Sequence, residues 1–460
     1  MFYVDALGAP GVFLARVAIC LAFLTMAHVG IWNASAYPIP LGYDAQGHIN
    51  YAHVLLHDHR LPTAAESSEY QQPPGYYVLA GSAALLGQKL FGWHEDKPYF
   101  ATLPEVSYRG AQLLNVALVL ATGLILLALA RIAAPDRPSV WAAALLFFAF
   151  LPVVAKTAAM FHPETLNMFL SASALLVATQ VLVRRRLGLL RGLALASLLA
   201  AGLLVRSSSL FTLIAVALSL GAVLLLPRAR IPHWRPGVAA TLGVVLVVAG
   251  GLVALYRSHV LSTTPDLGHA ILHPASQLYA VKTRSKFGDL STDVFRVPFR
   301  PNYVNEALPV TYTEIWGDWI GAFSWSGYNP APWQPALTVM KDQSSIGLLP
   351  TALAIGGWLL LLTRSLRRRR ELLAVALLPL VAGAAYLYRS YLFLTADGDL
   401  LKASYLLTTA PVWALGFGIA FGALGRFRLV RAGVSLCLIV FAVLELRFML
   451  YGLRDHNVIF

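Results

Sequence analysis

Between its first two apolar runs the chain carries its densest group of reactive side chains: Tyr43-Asp44-Ala45-Gln46-Gly47-His48-Ile49-Asn50-Tyr51, then Glu69-Tyr70-Gln71-Gln72-Pro73-Pro74-Gly75-Tyr76-Tyr77. A carboxylate with an imidazole one helical turn later can take a proton from a hydroxyl and pass it on, provided both face the same reactant. Asp44 can equally do no more than cap a helix starting at Ala45, a position aspartate suits. A second polar turn, Phe161-His162-Pro163-Glu164, presents His162 and Glu164, although Pro and Glu also fit a plain helix start. Three cations stand apart from the other basic residues: Arg206 in Val205-Arg206-Ser207-Ser208, Arg389, and Lys402 shortly before Tyr405. An isolated cation wants an anion, and a donor phosphate and a lipid headgroup are both candidates.

The elements that position these residues are membrane helices. The 460 residues are 58% hydrophobic and only 12% charged, with a mean hydropathy of +0.66, whereas a soluble domain is roughly 25% charged. A net charge of +13 raises nucleic acid as a partner, but the arginines fall in short clusters between apolar runs, as topology signals do, so nucleic-acid binding is set aside. Cys20 and Cys437 both lie inside apolar segments, which gives no disulfide framework and no cysteine zinc site. The first run, Val12 to Trp32, ends near Ala34-Ser35-Ala36, which resembles a signal-peptidase site; its length reads as a retained anchor helix.

Apolar runs suggest spans at 11–33, 73–92, 107–131, 138–158, 164–183, 187–205, 208–227, 236–256, 346–363, 371–394, 403–424 and 432–451. Basic clusters at Arg131 and Arg137, Arg184 to Arg186, Arg228 to Arg235, Arg364 to Arg370 and Arg426 to Arg431 are each separated from the next by two spans. They therefore share one side, which the positive-inside rule makes cytoplasmic. All clusters agree with an inside N-terminus only if 73–92 does not cross. Pro73 to Phe91 is accordingly expected along the outer surface, where its Pro-Pro start, Tyr76, Tyr77 and glycines suit an interfacial helix. The expectation is an all-α integral membrane protein of about eleven spans. Residues 1–256 form a membrane module with an external loop at 34–106, residues 257–345 an external loop, and residues 346–460 the C-terminal membrane helices. The outer connections then hold most residues capable of chemistry.

An acidic group just outside the first helix, a short helix from Ala45 to His57 and the Pro-Pro surface helix together resemble the first external loop of GT-C glycosyltransferases, of the protein O-mannosyltransferase and lipid A aminoarabinose transferase type. The resemblance implies a GT-C-like bundle, with interfacial helices in that loop and Asp44 at the reaction centre. Protein mannosyltransferases carry Asp-Glu where this chain has Asp44-Ala45, which leaves Glu69 and Glu164 as candidates for a second carboxylate. In the resembling family the turn of Glu164 also carries an acidic residue facing the cavity, which implies a role in acceptor or metal binding. Lys402 to Leu407 resembles that family's Arg-Tyr-Leu-Leu-Pro segment, with Ser404 and Thr408 in place of Arg and Pro, so the phosphate contact passes to Lys402.

From this follows an expected function: transfer of a sugar from a polyprenyl-phosphate donor to an acceptor hydroxyl on a glycan, lipid or protein, at the non-cytoplasmic face of the inner membrane. Asp44 is the expected base; Arg206, Lys402 and Arg389 the phosphate ligands; His48, Glu69, Gln72, His162, Glu164, Asp399 and Tyr405 the substrate contacts. Membrane lipids are further partners. No residue is assigned to a metal and no cofactor is fixed, although a divalent metal is compatible with the site. Asp397-Gly398-Asp399 spells the metal motif of nucleotide-sugar transferases, but those donors are cytoplasmic and this loop is expected outside. His269 and His273 share the i, i+4 spacing of zinc ligands, yet no Glu adjoins the first and Pro274 follows the second. His53 and His57 share a helical face as surface pairs do. Tyr312 to Trp319 and Phe323-Ser324-Trp325, rich in rings and carboxylates, suit either sugar stacking or an interface. A transporter or lipid flippase, with ionisable groups near the midplane, and an intramembrane metallohydrolase, with three converging ligands, are the rival classes.

Overall fold

The computed structural model describes residues 9–39, 42–93, 107–184, 189–224, 234–255, 258–259, 286–298, 305–317, 334–392 and 401–450, whose regular structure is helical with no strand among them. The helices are α1 (Ala9–Ala36), α2 (Ala45–His57), α3 (Gly75–Phe91), α4 (Arg109–Ala133), α5 (Pro138–Ala149), α6 (Pro152–Ala159), α7 (Glu164–Arg184), α8 (Leu189–Val205), α9 (Ser209–Leu224) and α10 (Trp234–Leu255). After them come α11 (Ala307–Trp316), α12 (Gln334–Ile346), α13 (Leu348–Arg367), α14 (Leu373–Leu392), a 3-10 helix (Ala403–Thr409), α15 (Ala410–Ala423) and α16 (Arg428–Met449). Among the described residues, 7 helices are long and apolar enough to cross a membrane; the bent pair α5 and α6 and the shorter apolar segments Leu189–Val205, Ser209–Ala222 and Gly243–Leu252 occupy the places of the other expected spans. The protein is a multi-pass membrane protein.

Residues 138–158, expected as one straight span, are two helices meeting at 50°. Pro152 has no N–H to give and disfavours helical backbone in the residue before it. Leu151 accordingly turns extended, at φ −92 and ψ 106. The expected span at 403–424 likewise opens with a tight 3-10 turn rather than an α-helix.

Small residues let helices meet backbone to backbone, as they do where lipid supplies no hydrophobic drive. A Cβ on Gly357 of α13 would lie 1.8 Å from the Gly416 carbonyl of α15, and one on Gly418 would lie 2.4 Å from the Val140 carbonyl of α5. α15 is thereby clamped between α13 and α5. Two arginine-bearing turns also meet: Arg369 donates to the Ile132 carbonyl at 2.9 Å.

α3 is 17 residues long. Gly75 at its start rests on the Leu204 carbonyl near the end of α8, and the Ala83 carbonyl meets Gly110 in the first turn of α4. Those ends of α8 and α4 lie opposite the arginine-bearing turns, so α3 runs across them, with Leu86, Leu90 and Phe91 exposed on its outer face. α2 packs beneath it through Tyr51, which stacks on Tyr77 at 3.9 Å between ring centroids.

Candidate active site

At the junction of α1 and α2 the backbone of Asp44 turns left-handed, with φ 51 and ψ 26. This region is uncommon for residues other than glycine, and aspartate is among those that tolerate it. The Asp44 carbonyl receives the His48 N–H at 3.0 Å and so begins α2, but the carboxylate makes no capping bond. Capping, one of the two readings of Asp44, is therefore not what its side chain does. The turn aims the carboxylate away from α2, and Oδ2 accepts a hydrogen bond from Lys402 Nζ at 2.9 Å.

Lys402 is 2% exposed while the Asp44 side chain remains 31% exposed, so the carboxylate opens outward from a buried cation. Burial works against the charge on Asp44, yet Lys402, His48, the hydrogen bond from Lys402 and Arg206 together hold the carboxyl below its ordinary 3.8. The Lys402 segment is held by α11, whose buried Glu314 accepts the Ala403 N–H at 2.6 Å. Tyr43 lies between two lysines: Lys402 Nζ is 5.4 Å and Lys156 Nζ 4.5 Å from its ring centroid, and Lys156 donates to its hydroxyl. Lys156 is fully buried on α6.

One turn along α2, His48 is fully buried, its Nδ1 2.8 Å from the Tyr77 hydroxyl and its ring edge-on to His162 at 4.9 Å. Burial holds the His48 imidazole below its ordinary 6.5, against the pull of Glu69 and Asp44. Burial holds His162 well below that value too, helped by the positive charge around it. His162 Nδ1 accepts the Glu164 N–H at 3.4 Å, which puts the proton of the neutral ring on Nε2. The Nε2 atoms of both rings are buried without a hydrogen-bond partner.

Glu164 and Arg206 form the second half of the site. The Arg206 Nε donates to Glu164 Oε1 at 3.0 Å, and its Nη1 lies 3.8 Å from Glu69 Oε2. Asn167 Nδ2 donates to Glu164 Oε2 at 3.0 Å and to Ser208 Oγ at 2.7 Å. Expected to stand alone and await an anion, Arg206 instead has carboxylate partners within the chain, because the turn between α8 and α9 folds onto the start of α7. Glu164 is likewise more than a favourable charge at a helix start. Gly47 makes room for the 67–69 segment: a Cβ there would lie 2.2 Å from Ser68 Oγ and 3.1 Å from Glu69 Cγ.

Arg206 also faces Tyr405. Its guanidinium carbon is 5.5 Å from the Tyr405 ring centroid, and that of Arg389 is 5.6 Å from the same ring. Arg206, Ser207, Ser208, Arg389, Ser390 and Tyr405 line a cavity of about 290 Å³. Two guanidiniums and three hydroxyls around an aromatic ring suit an anion.

The structure thus brings Asp44, His48, Glu69, His162, Glu164, Arg206, Arg389, Lys402 and Tyr405 to one region. Gln72 contributes its backbone, whose carbonyl accepts the Tyr51 hydroxyl at 2.9 Å. Asp397 and Asp399, His269 and His273, and Asp318 to Trp325 lie outside the described residues. Among the described residues no three His, Cys, Asp or Glu side chains converge as a metal centre requires. His53 and His57 stack on each other at 5.2 Å, and His57 turns to Asp58. Sequence reasoning passed over Lys156, although a lone lysine in an otherwise uncharged run from Pro138 to Phe161 is a signal in itself.

No protein-family profile and no curated protein matches the sequence. Among solved structures, the chain is similar to the crystal structure of an oligosaccharyltransferase from Archaeoglobus fulgidus tethered with an acceptor peptide containing the NVT sequon, at TM-score 0.51 and 12% identity. The match covers 96% of this chain and 55% of that one, so this chain spans about half the length of that enzyme. The crystal structure of ArnT from Cupriavidus metallidurans bound to undecaprenyl phosphate matches at TM-score 0.46 and 13% identity, over 98% of this chain and 78% of that one.

Proposed function

We propose that this chain, whose fold is GT-C-like, is a glycosyltransferase that moves a sugar from a polyprenyl-phosphate donor to an acceptor hydroxyl, at the membrane face opposite its arginine-bearing turns. The observation that carries the reading is the pairing of the partly exposed Asp44 carboxylate with buried Lys402 at 2.9 Å, beside an anion-suited cavity lined by Arg206 and Arg389. The first supplies a base; the second takes the charge of a leaving phosphate.

In this mechanism the donor phosphate rests between Arg206 and Arg389. The acceptor hydroxyl approaches Asp44 from the open side. As the hydroxyl oxygen attacks the anomeric carbon, its proton passes to Asp44, and the bond from that carbon to the phosphate oxygen breaks with its electron pair on the phosphate. A direct displacement with one base inverts the anomeric centre. Phosphate leaves without being protonated, so cations rather than an acid assist it. Lys402 keeps Asp44 ionised and ready to accept the proton. His48 and His162, kept neutral by burial, form the wall behind Asp44. The acceptor, whether glycan, lipid or protein, meets the site from the side of α2 and the 67–69 segment.

The test is Asp44→Asn, which keeps shape and removes the base. Transfer from lipid-linked sugar should fall by about 10²-fold or more while folded protein is recovered as before. Full transfer by this variant would remove Asp44 from the mechanism. Mass spectrometry of lipid-linked sugars that accumulate in cells lacking the protein identifies the donor.

A further inference from the structure

A cavity of about 570 Å³ lies between α1, α5, α15 and α16, walled by side chains such as Leu14, Leu21, Phe147 and Leu438. It has no part in the proposed transfer. Among the described residues α16 is fastened to α1 at one end, where Asn33 Nδ2 donates to the Met449 carbonyl at 2.9 Å and Val29 packs on Met449 and Leu450. Near the same end, buried Glu445 accepts from Gln343 of α12 at 2.7 Å. Toward the arginine-bearing end the two helices splay, leaving Leu14 and Leu436 each 64% exposed. The lining of α16 runs from Arg431 to Val443, which at 1.5 Å per residue makes a trough roughly 18 Å long, over half of a hydrocarbon core of roughly 30 Å.

The mouth of the trough is polar and positive. Arg431 lines it, its guanidinium 5.2 Å from the Phe421 ring centroid, and among the described residues no carboxylate lines it. Ser139, in the first turn of α5, lines it too; the residue is 7% exposed and its hydroxyl has no hydrogen-bond partner. A cation without a lining carboxylate and a buried unsatisfied hydroxyl, at the mouth of an apolar trough, fit one ligand chemistry: a phosphate attached to a hydrocarbon chain.

We propose that this groove is a binding site for an anionic glycerophospholipid of the leaflet at the arginine-bearing end, with its phosphate on Arg431 and Ser139 and an acyl chain between α1 and α16. The lipid fills the gap that the splayed helices leave and completes their packing. This site is independent of the transfer reaction.

For the test, full-length protein is stripped of lipid in detergent and mixed with dioleoyl phosphatidylglycerol or dioleoyl phosphatidylcholine, and adducts are counted by native mass spectrometry. The anionic lipid should be retained about fivefold over the zwitterionic one, the effect of one basic residue at a membrane surface. Arg431→Gln should abolish that preference and Arg431→Lys keep it, while Ala18→Trp, which fills the trough, should reduce adducts of both lipids. Equal retention by the wild type, an unchanged preference in Arg431→Gln, or stronger retention of undecaprenyl phosphate than of phosphatidylglycerol would each overturn the proposal.

Discussion

Replacing Arg206 by methionine separates the structural from the chemical work of one residue. Glu164 is fully buried and the Arg206 side chain is 6% exposed, with Nε 3.0 Å from the carboxylate. Without the guanidinium, Glu164 keeps only Asn167 and Ser208, neither of them charged. Leaving one partner of a buried ion pair uncompensated costs about 3–5 kcal/mol, a large share of a stability on the order of 5–15 kcal/mol. Adding Glu164→Gln removes the stranded charge, so the double variant should regain most of the loss, a coupling of about 2–3 kcal/mol. Wild type, the two single variants and the double variant are compared by unfolding in detergent and by binding of a polyprenyl-phosphate donor. Stability should return in the double variant and donor binding should not, because the cation is still missing. Arg206→Met within about 0.5 kcal/mol of wild type, or purely additive effects, would refute the burial argument; a double variant that binds donor normally would refute the phosphate role.

Lys402 governs the pH response of Asp44. With its carboxyl held below 3.8, Asp44 stays ionised until the pH falls under that value, so the acid limb of transfer lies below it, and the stability its charge adds is lost over the same range. Lys402→Met removes the strongest opposing charge and leaves burial to dominate, so the limb should move to higher pH, whereas Lys402→Arg should leave it low; initial rates across pH decide. Tyr405→Ala removes the ring between Arg206 and Arg389, and loss of cation–π contacts on the order of 0.5–2 kcal/mol should appear as a raised KM for the donor with little change in kcat. Gly416→Leu drives a side chain into the Ala354 carbonyl, 2.7 Å from where its Cβ would sit; overpacking of this kind costs about 1–3 kcal/mol and should show as a lower yield of folded protein from membranes.

Much of the architecture was legible in the sequence because membrane helices announce themselves by length and apolarity, and arginines mark their ends. The short helix Ala45–His57 emerged with the expected limits. The break at Leu151 was hidden only because Pro152 sat in a run apolar enough to mask it. The site was legible as a set of residues but not as pairs. Asp44 and Lys402 are 358 positions apart, Glu164 and Arg206 42 apart, and no local pattern says which cation meets which anion. Arg206 looked solitary for that reason. Glu314 lies in a ring-rich segment that suits a sugar contact or an interface alike, and the Ala403 N–H it accepts is invisible in the sequence.

The distance in sequence between Asp44 and Lys402 also orders events at the ribosome. Asp44 leaves the exit tunnel hundreds of residues before the lysine that will hold it, and the nascent chain threads helix after helix through the insertion machinery with that carboxylate still unmatched. A chain that stops before Lys402 has neither the ammonium that pairs with Asp44 nor the backbone N–H that Glu314 secures, so the centre closes only once the 3-10 turn after Lys402 has been made.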